Sequence, residues 1–146
     1  MRVLLKISYL GTNYHGWQVQ PNGITVQEAL QDVIEKLIGE RPDVTGCSRT
    51  DSGVHANMFC FHMDTELDIP CEKVPLALNT ALPDDIAVLS CKEVDGDFHA
   101  RYCAKGKRYV YRIWNGTQRH PMYEKYAIWL KKPLDANFLN DIVKSY

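Results

Sequence analysis

At 146 residues, with 45% hydrophobic and 24% charged side chains, the chain has the size and make-up of one globular domain that buries a core without help from metal or disulfide. Those values are ordinary for a soluble globular protein, and no apolar run approaches the length of a membrane-spanning helix. A formal net charge of -1 hides an asymmetry: residues 98–132 hold nine Lys or Arg against the single acid Glu124, a balance of +8, so the rest of the chain carries -9 and the positive segment invites a polyanion.

In chain order, the N-terminus MRVLLKISYL has Lys6 inside its apolar stretch and no small-residue cleavage site, which argues against a secretory signal and for a cytoplasmic protein. Residues 2–10 are branched and aromatic and predict a strand, followed by a polar loop over 11–23 with an unusual content of Tyr14, His15, Trp17, Gln18 and Gln20. Thr25 and Glu28 form a capping box ahead of Val26, Leu30, Val33, Ile34 and Leu37 at helical spacing, with Gly39 as the stop. A short strand over 43–47, a turn through CSRTDSG and a longer strand over 54–64 come next. Residues 70–82 predict a second helix with Pro75 in its first turn, and Pro83-Asp84-Asp85 breaks it before a strand over 86–94. Residues 105–115 alternate Lys107, Tyr109, Tyr111 and Ile113 against Arg108, Val110, Arg112 and Trp114, which predicts a strand. Another strand is expected over 126–130, and the chain from Leu134 to its end at Tyr146 has helical spacing.

The order βαββαβ points to an α+β fold, ferredoxin-like or similar to RNA-recognition motifs, with helices on one face of a mixed, largely antiparallel sheet and the other face left for a ligand. Five cysteines, at least ten residues apart, lack the paired spacing of zinc or redox sites and read as reduced, mostly buried thiols. Cys60 and His62 share a strand face, but two ligands make no metal site.

The chemistry centres on Asp51 in CSRTDSGVHA. Asp and Gly suit tight turns for backbone reasons alone, so a plain turn residue is one reading. The Asp-Ser-Gly triplet of aspartic proteases is another, but only one copy exists, it follows Ser48-Arg49-Thr50 rather than an apolar strand, and Arg49 opposes proton sharing. The neighbouring motifs point elsewhere. RTDSGVHA resembles the RTDAGVHA signature of the tRNA pseudouridine synthase A family, Tyr14-His15-Gly16-Trp17-Gln18-Val19-Gln20 its Y-x-G-W-Q-x-Q loop, and Thr25-Val26-Gln27 its T-V-Q. Leu78-Asn79-Thr80-Ala81-Leu82-Pro83 with Asp85-Ile86 is similar to L-N-x-x-L-P-x-D-I, Phe98-His99-Ala100-Arg101 to F-H-A-R, and Lys107-Arg108-Tyr109-Val110-Tyr111 to K/R-x-Y-x-Y. The family's second half, with its F-x-x-x-M-V-R-N type segment, has no counterpart here. The expected organisation is therefore a catalytic half with RNA-binding strands over 1–132 and the start of a second half over 133–146.

The resemblance implies half of a pseudouridine synthase fold, acting on uridines 38 to 40 of the tRNA anticodon arm as a homodimer, without cofactor, metal or membrane. It assigns Asp51 as the carboxylate that meets the ribose C1′, a role carboxylates also play in glycoside chemistry. It favours Tyr109 over Tyr111, which shares its strand face, for stacking on the uracil and assisting proton removal at C5. The target base must leave its stack, and Arg49 is the candidate to brace the gap, or else an ion-pair partner of Asp51. Arg101, Lys105, Lys107 and Arg108 suit phosphate contacts, and Gln18, Gln20 and His55 suit sugar or base edges. Trp17 reads as a packing anchor more than a stacking platform. Without the second half, which supplies the family's partner arginine, residues 1–146 are expected to be inactive alone. The competing class is a non-catalytic RNA-binding module, echoed by Lys105-Gly106 and Tyr109-Val110.

Overall fold

The computed structural model of the protein describes residues 1–66 and 68–145. The chain divides into two compact units, Met1–Gly106 and Lys107–Tyr146.

In the first unit, β1 (Arg2–Tyr9) alternates half-buried and buried residues along its whole length, as its composition predicts. It is followed by α1 (Val26–Ile38), β2 (Thr45–Gly46), β3 (Ala56–Asp64), α2 (Val74–Asn79) and β4 (Ile86–Val94). The strands form one antiparallel sheet in the order β2-β3-β1-β4, which for a βαββαβ chain is the ferredoxin-like arrangement. α1 begins where the capping box places it. Thr25 has extended backbone, and its hydroxyl accepts from the Glu28 N–H at 3.3 Å. The helix stops at Gly39, which takes the left-handed conformation at φ 82°.

One face of the sheet presents Val3, Leu5, Ile7, Phe59, Phe61, Met63, Ile86 and Val88, and Val26, Leu30 and Ile34 of α1 with Val74 and Leu78 of α2 pack into the same buried cluster. Helices on one side of an antiparallel sheet are the expected architecture. The other side is less open than expected. His62, paired in register with Leu4 on that side, is buried, and the Phe98–Ala100 segment lies over it: the Ala100 N–H donates to His62 Nδ1 at 3.1 Å, and Arg2 donates to the Phe98 carbonyl at 3.0 Å. The Phe98–Ala100 part of the F-H-A-R motif thus serves packing, while Arg101 is exposed.

Three local expectations change. The second helix starts as a 3-10 turn at Cys71–Lys73 and becomes α-helical only at Val74, with Pro75 in the first turn where its missing N–H costs nothing. The cysteines are free but not buried: Cys47, Cys60, Cys71 and Cys91 are half-buried and Cys103 is exposed. The strand expected over 105–115 exists only as β5 (Ile113–Asn115) in the second unit. Side-chain alternation suits residues to a strand but supplies no ladder partner, and the parallel pairing with β6 (Ile128–Leu130) runs from Ile113↔Ile128 to Asn115↔Leu130 only.

Asn115 holds this second unit together, its amide donating to the Leu130 and Lys132 carbonyls at 2.7 and 2.8 Å and its oxygen accepting from the Leu134 N–H at 3.0 Å. Its last helix, α3 (Ala136–Lys144), is capped by Asp135, whose carboxylate accepts from the Asn137 and Phe138 N–H groups. The expected continuation to Tyr146 lies outside the described residues. No helix among the described residues is long and apolar enough to cross a membrane.

Candidate active site

The turn joining β2 to β3 carries Asp51, and the loop after β1 fixes that turn from beneath. Trp17 N–H donates to the Thr50 carbonyl at 3.1 Å, Gly53 N–H and the Ser52 hydroxyl donate to the Tyr14 carbonyl at 3.2 and 3.3 Å, and the Tyr9 and Thr50 hydroxyls share a hydrogen bond of 2.9 Å. A fourth tie comes from His55, whose Nδ1 accepts from the Gly11 N–H at 2.9 Å and so leaves the ring proton on Nε2. Within the turn, Val54 N–H reaches back to the Asp51 carbonyl at 3.2 Å.

The two segments approach so closely that Gly16 admits no side chain. At φ +82° its Cβ would stand 2.4 Å from the Thr50 carbonyl oxygen. Trp17 is buried, its ring 4.3 Å from that of Phe59 and 5.9 Å from that of Phe61, so it is the packing anchor rather than a stacking surface. The loop is itself tied to the start of β4. Tyr14 donates to the Asp85 carboxylate at 2.5 Å, Asn13 donates to its other oxygen at 3.1 Å, and Leu10 N–H donates to the Asp85 carbonyl at 2.8 Å. Burial, then the Asp85 carboxylate, pushes the Tyr14 phenol above its ordinary range, while burial pushes Tyr9 up to about 12. Both phenols stay neutral at physiological pH and keep their hydrogen bonds.

Against this fixed backbone the Asp51 side chain is exposed, and among the described residues its carboxylate has no hydrogen bond or ion pair. The ion pair with Arg49 does not form. Arg49 is exposed two residues earlier on the same turn, as are Gln18 and Gln20 on the loop that Trp17 anchors, and Gln20 donates to the His15 carbonyl at 2.5 Å. Asp51, Arg49 and His55 thus lie on one turn, which the loop bearing Gln18 and Gln20 holds by its backbone. Arg101 and Lys105 are exposed after β4, while Lys107, Arg108 and Tyr109, the last 72% exposed, belong to the second unit. No cluster of three or more His, Cys, Asp or Glu among the described residues is arranged to hold a metal ion.

Sequence reasoning missed the supporting roles. Asp85 and Asn79 stood inside a quoted motif without a job. Asn79 exchanges two hydrogen bonds with the Val88 backbone, at 2.9 and 2.7 Å, and thereby docks the end of α2 onto β4 just beyond Asp85. Polar residues flanking a Pro-Asp-Asp break were the available signal.

Residues 6–103 match the tRNA pseudouridine synthase family. The tRNA pseudouridine synthase A of Thermoanaerobacter sp. strain X514 is 49% identical over 133 residues, covering 91% of this chain and 54% of that protein. The protein of that name in Aquifex aeolicus strain VF5 is 43% identical over 143 residues, 98% of this chain and 59% of the relative. The one in Staphylococcus aureus strain MRSA252 is 39% identical over 146 residues, 100% and 55%. The chain spans little more than half the length of these curated relatives.

Proposed function

Because the chain belongs to the tRNA pseudouridine synthase family, we propose that it provides the catalytic aspartate turn of a tRNA pseudouridine synthase, a cytoplasmic isomerase that works as a homodimer on uridines of the anticodon arm. The observation that carries the reading is the pairing of a backbone held at several points with an Asp51 carboxylate left uncommitted and open to solvent. A nucleophile that must meet a sugar carbon needs a fixed origin and an unoccupied oxygen.

In the proposed reaction an Asp51 oxygen bonds to, or closely attends, the ribose C1′ as the bond from C1′ to N1 breaks. The uracil leaves with that electron pair, turns, and returns through C5, whose electrons form the new bond to C1′ and release the carboxylate. The proton on C5 is then removed while N1 gains one, so the product is an isomer of the substrate. Tyr109 stacks on the turning uracil and assists at C5, Arg49 braces the gap left by the extruded base, and Gln18, Gln20 and His55 contact sugar or base edges. Arg101, Lys105, Lys107 and Arg108 neutralise phosphates. Residues 1–132 serve as the catalytic half in this scheme, and no step calls for a cofactor.

The test is Asp51→Asn in the protein carrying this chain at the length of its relatives, with release of tritium from C5-labelled uridine in tRNA. Turnover is expected to vanish while tRNA binding persists; unchanged turnover removes the assignment. A parent protein that binds tRNA and releases no tritium would instead be an RNA-binding module.

A further inference from the structure

Two of the five cysteines, separated by most of α2 and β4 in sequence, meet in space. Cys91 pairs in register with Leu5, a core residue of β1, which turns the Cys91 side chain to the helix-bearing face of the sheet. Cys71 opens the 3-10 turn that leads into α2 over that same face. Both are half-buried and packed against the core, and both line one open cavity of about 560 Å³ with Pro70, Glu72 and Lys92 at its wall. The turn that carries Cys71 packs against β4, which sets the two thiols across the same cavity. No third side chain completes a metal-holding group with them among the described residues, so the pair is suited to bonding with itself.

We propose that Cys71 and Cys91 are a modification site, a dithiol that closes to an intrachain disulfide when a peroxide enters this cavity. The Cys71 sulfur attacks one peroxide oxygen, the O–O bond breaks, and one water leaves with Cys71 now a sulfenic acid. The Cys91 sulfur then displaces the sulfenic oxygen, which departs as a second water with the Cys91 proton. Two thiols are oxidised to one disulfide and one peroxide is reduced to two waters. The division of labour follows from burial. Burial pushes the Cys91 thiol up to about 12, so it stays protonated and acts second. The closed bridge joins the entry of α2 to the middle of β4, and constraining the intervening segment in the unfolded chain raises the folding equilibrium constant about a hundredfold or more.

The experiment treats the 146-residue protein with hydrogen peroxide and maps peptides by mass spectrometry without reductant, with thermal denaturation run alongside. Expected are a peptide joining Cys71 to Cys91, lost on treatment with dithiothreitol, and a Tm that rises with oxidation and returns with reduction. Cys71→Ser, on the more peripheral turn, should fold and lose both effects. Sulfinic acid at either cysteine without a bond between them overturns the proposal, as does a bridge formed through exposed Cys103 or between Cys47 and Cys60 in its place.

Discussion

Replacing Gly16 with alanine tests whether the turn bearing Asp51 is held by the loop beneath it. Two separate costs arise. A residue with a Cβ at φ +82° is strained by roughly 1–2 kcal/mol, of which the lower unfolded-state entropy of alanine returns about 0.4–1 kcal/mol. The new Cβ would also stand 2.4 Å from the Thr50 carbonyl oxygen, a backbone atom that cannot swing aside. Relief requires the loop and turn to part, with loss of the 3.1 Å hydrogen bond from Trp17 N–H to that same oxygen, worth about 0.5–1.5 kcal/mol. With a net strain of about 1 kcal/mol, the sum is about 1.5–2.5 kcal/mol. Gly39 provides the comparison because it has the same φ of +82°, lies in the same unit, and would meet nothing within 4 Å. Its alanine variant should cost only the net strain, about 1 kcal/mol. Urea denaturation followed by circular dichroism measures both, and with a slope of about 1–3 kcal/mol per molar the midpoints should separate by roughly half a molar. Equal costs for the two variants would refute the reasoning, since the shared strain would then be everything and the close approach nothing.

Asn79→Ala should destabilise the first unit by about 1–3 kcal/mol, because it strands both the N–H and the carbonyl of Val88, and a lowered Tm checks this. Acid should weaken the same unit through His62. Burial, then the nearby Arg2 and His99, lowers its pKa below the ordinary 6.5, and its Nδ1 accepts from Ala100, so the contribution is full above 6.5 and is lost as pH falls through the folded value. The urea midpoint should drop between pH 7.5 and pH 5, and His62→Asn, which still offers an acceptor oxygen but does not titrate, should flatten that part of the pH dependence.

Features decided by neighbours in sequence were legible from the chain alone. Thr25, Glu28 and Gly39 set the limits of α1 because capping is local, and the alternation of β1 marked its buried face because period two is a property of the strand itself. Asp51 and Arg49 were readable as a turn for the same reason. What escaped depends on which segments meet. Nothing near Tyr14 announces that Asp85 will accept its hydrogen bond, nothing near Cys71 that Cys91 shares its cavity, and nothing in the alternation of 105–112 that these residues find no ladder partner. His55 looked like a ligand-facing side chain, and one of its nitrogens is spent on Gly11.

The chain of contacts from Asp85 through Tyr14 to Ser52 and Gly53 has a practical outcome for anyone reading function from mutational scans. Damage at Asp85 should travel along it and loosen the turn that carries Asp51 from the opposite edge of the sheet, so that a strut scores as though it were an engine part. An acidic residue found indispensable in such a survey therefore has to be asked whether it acts itself or merely steadies a distant turn.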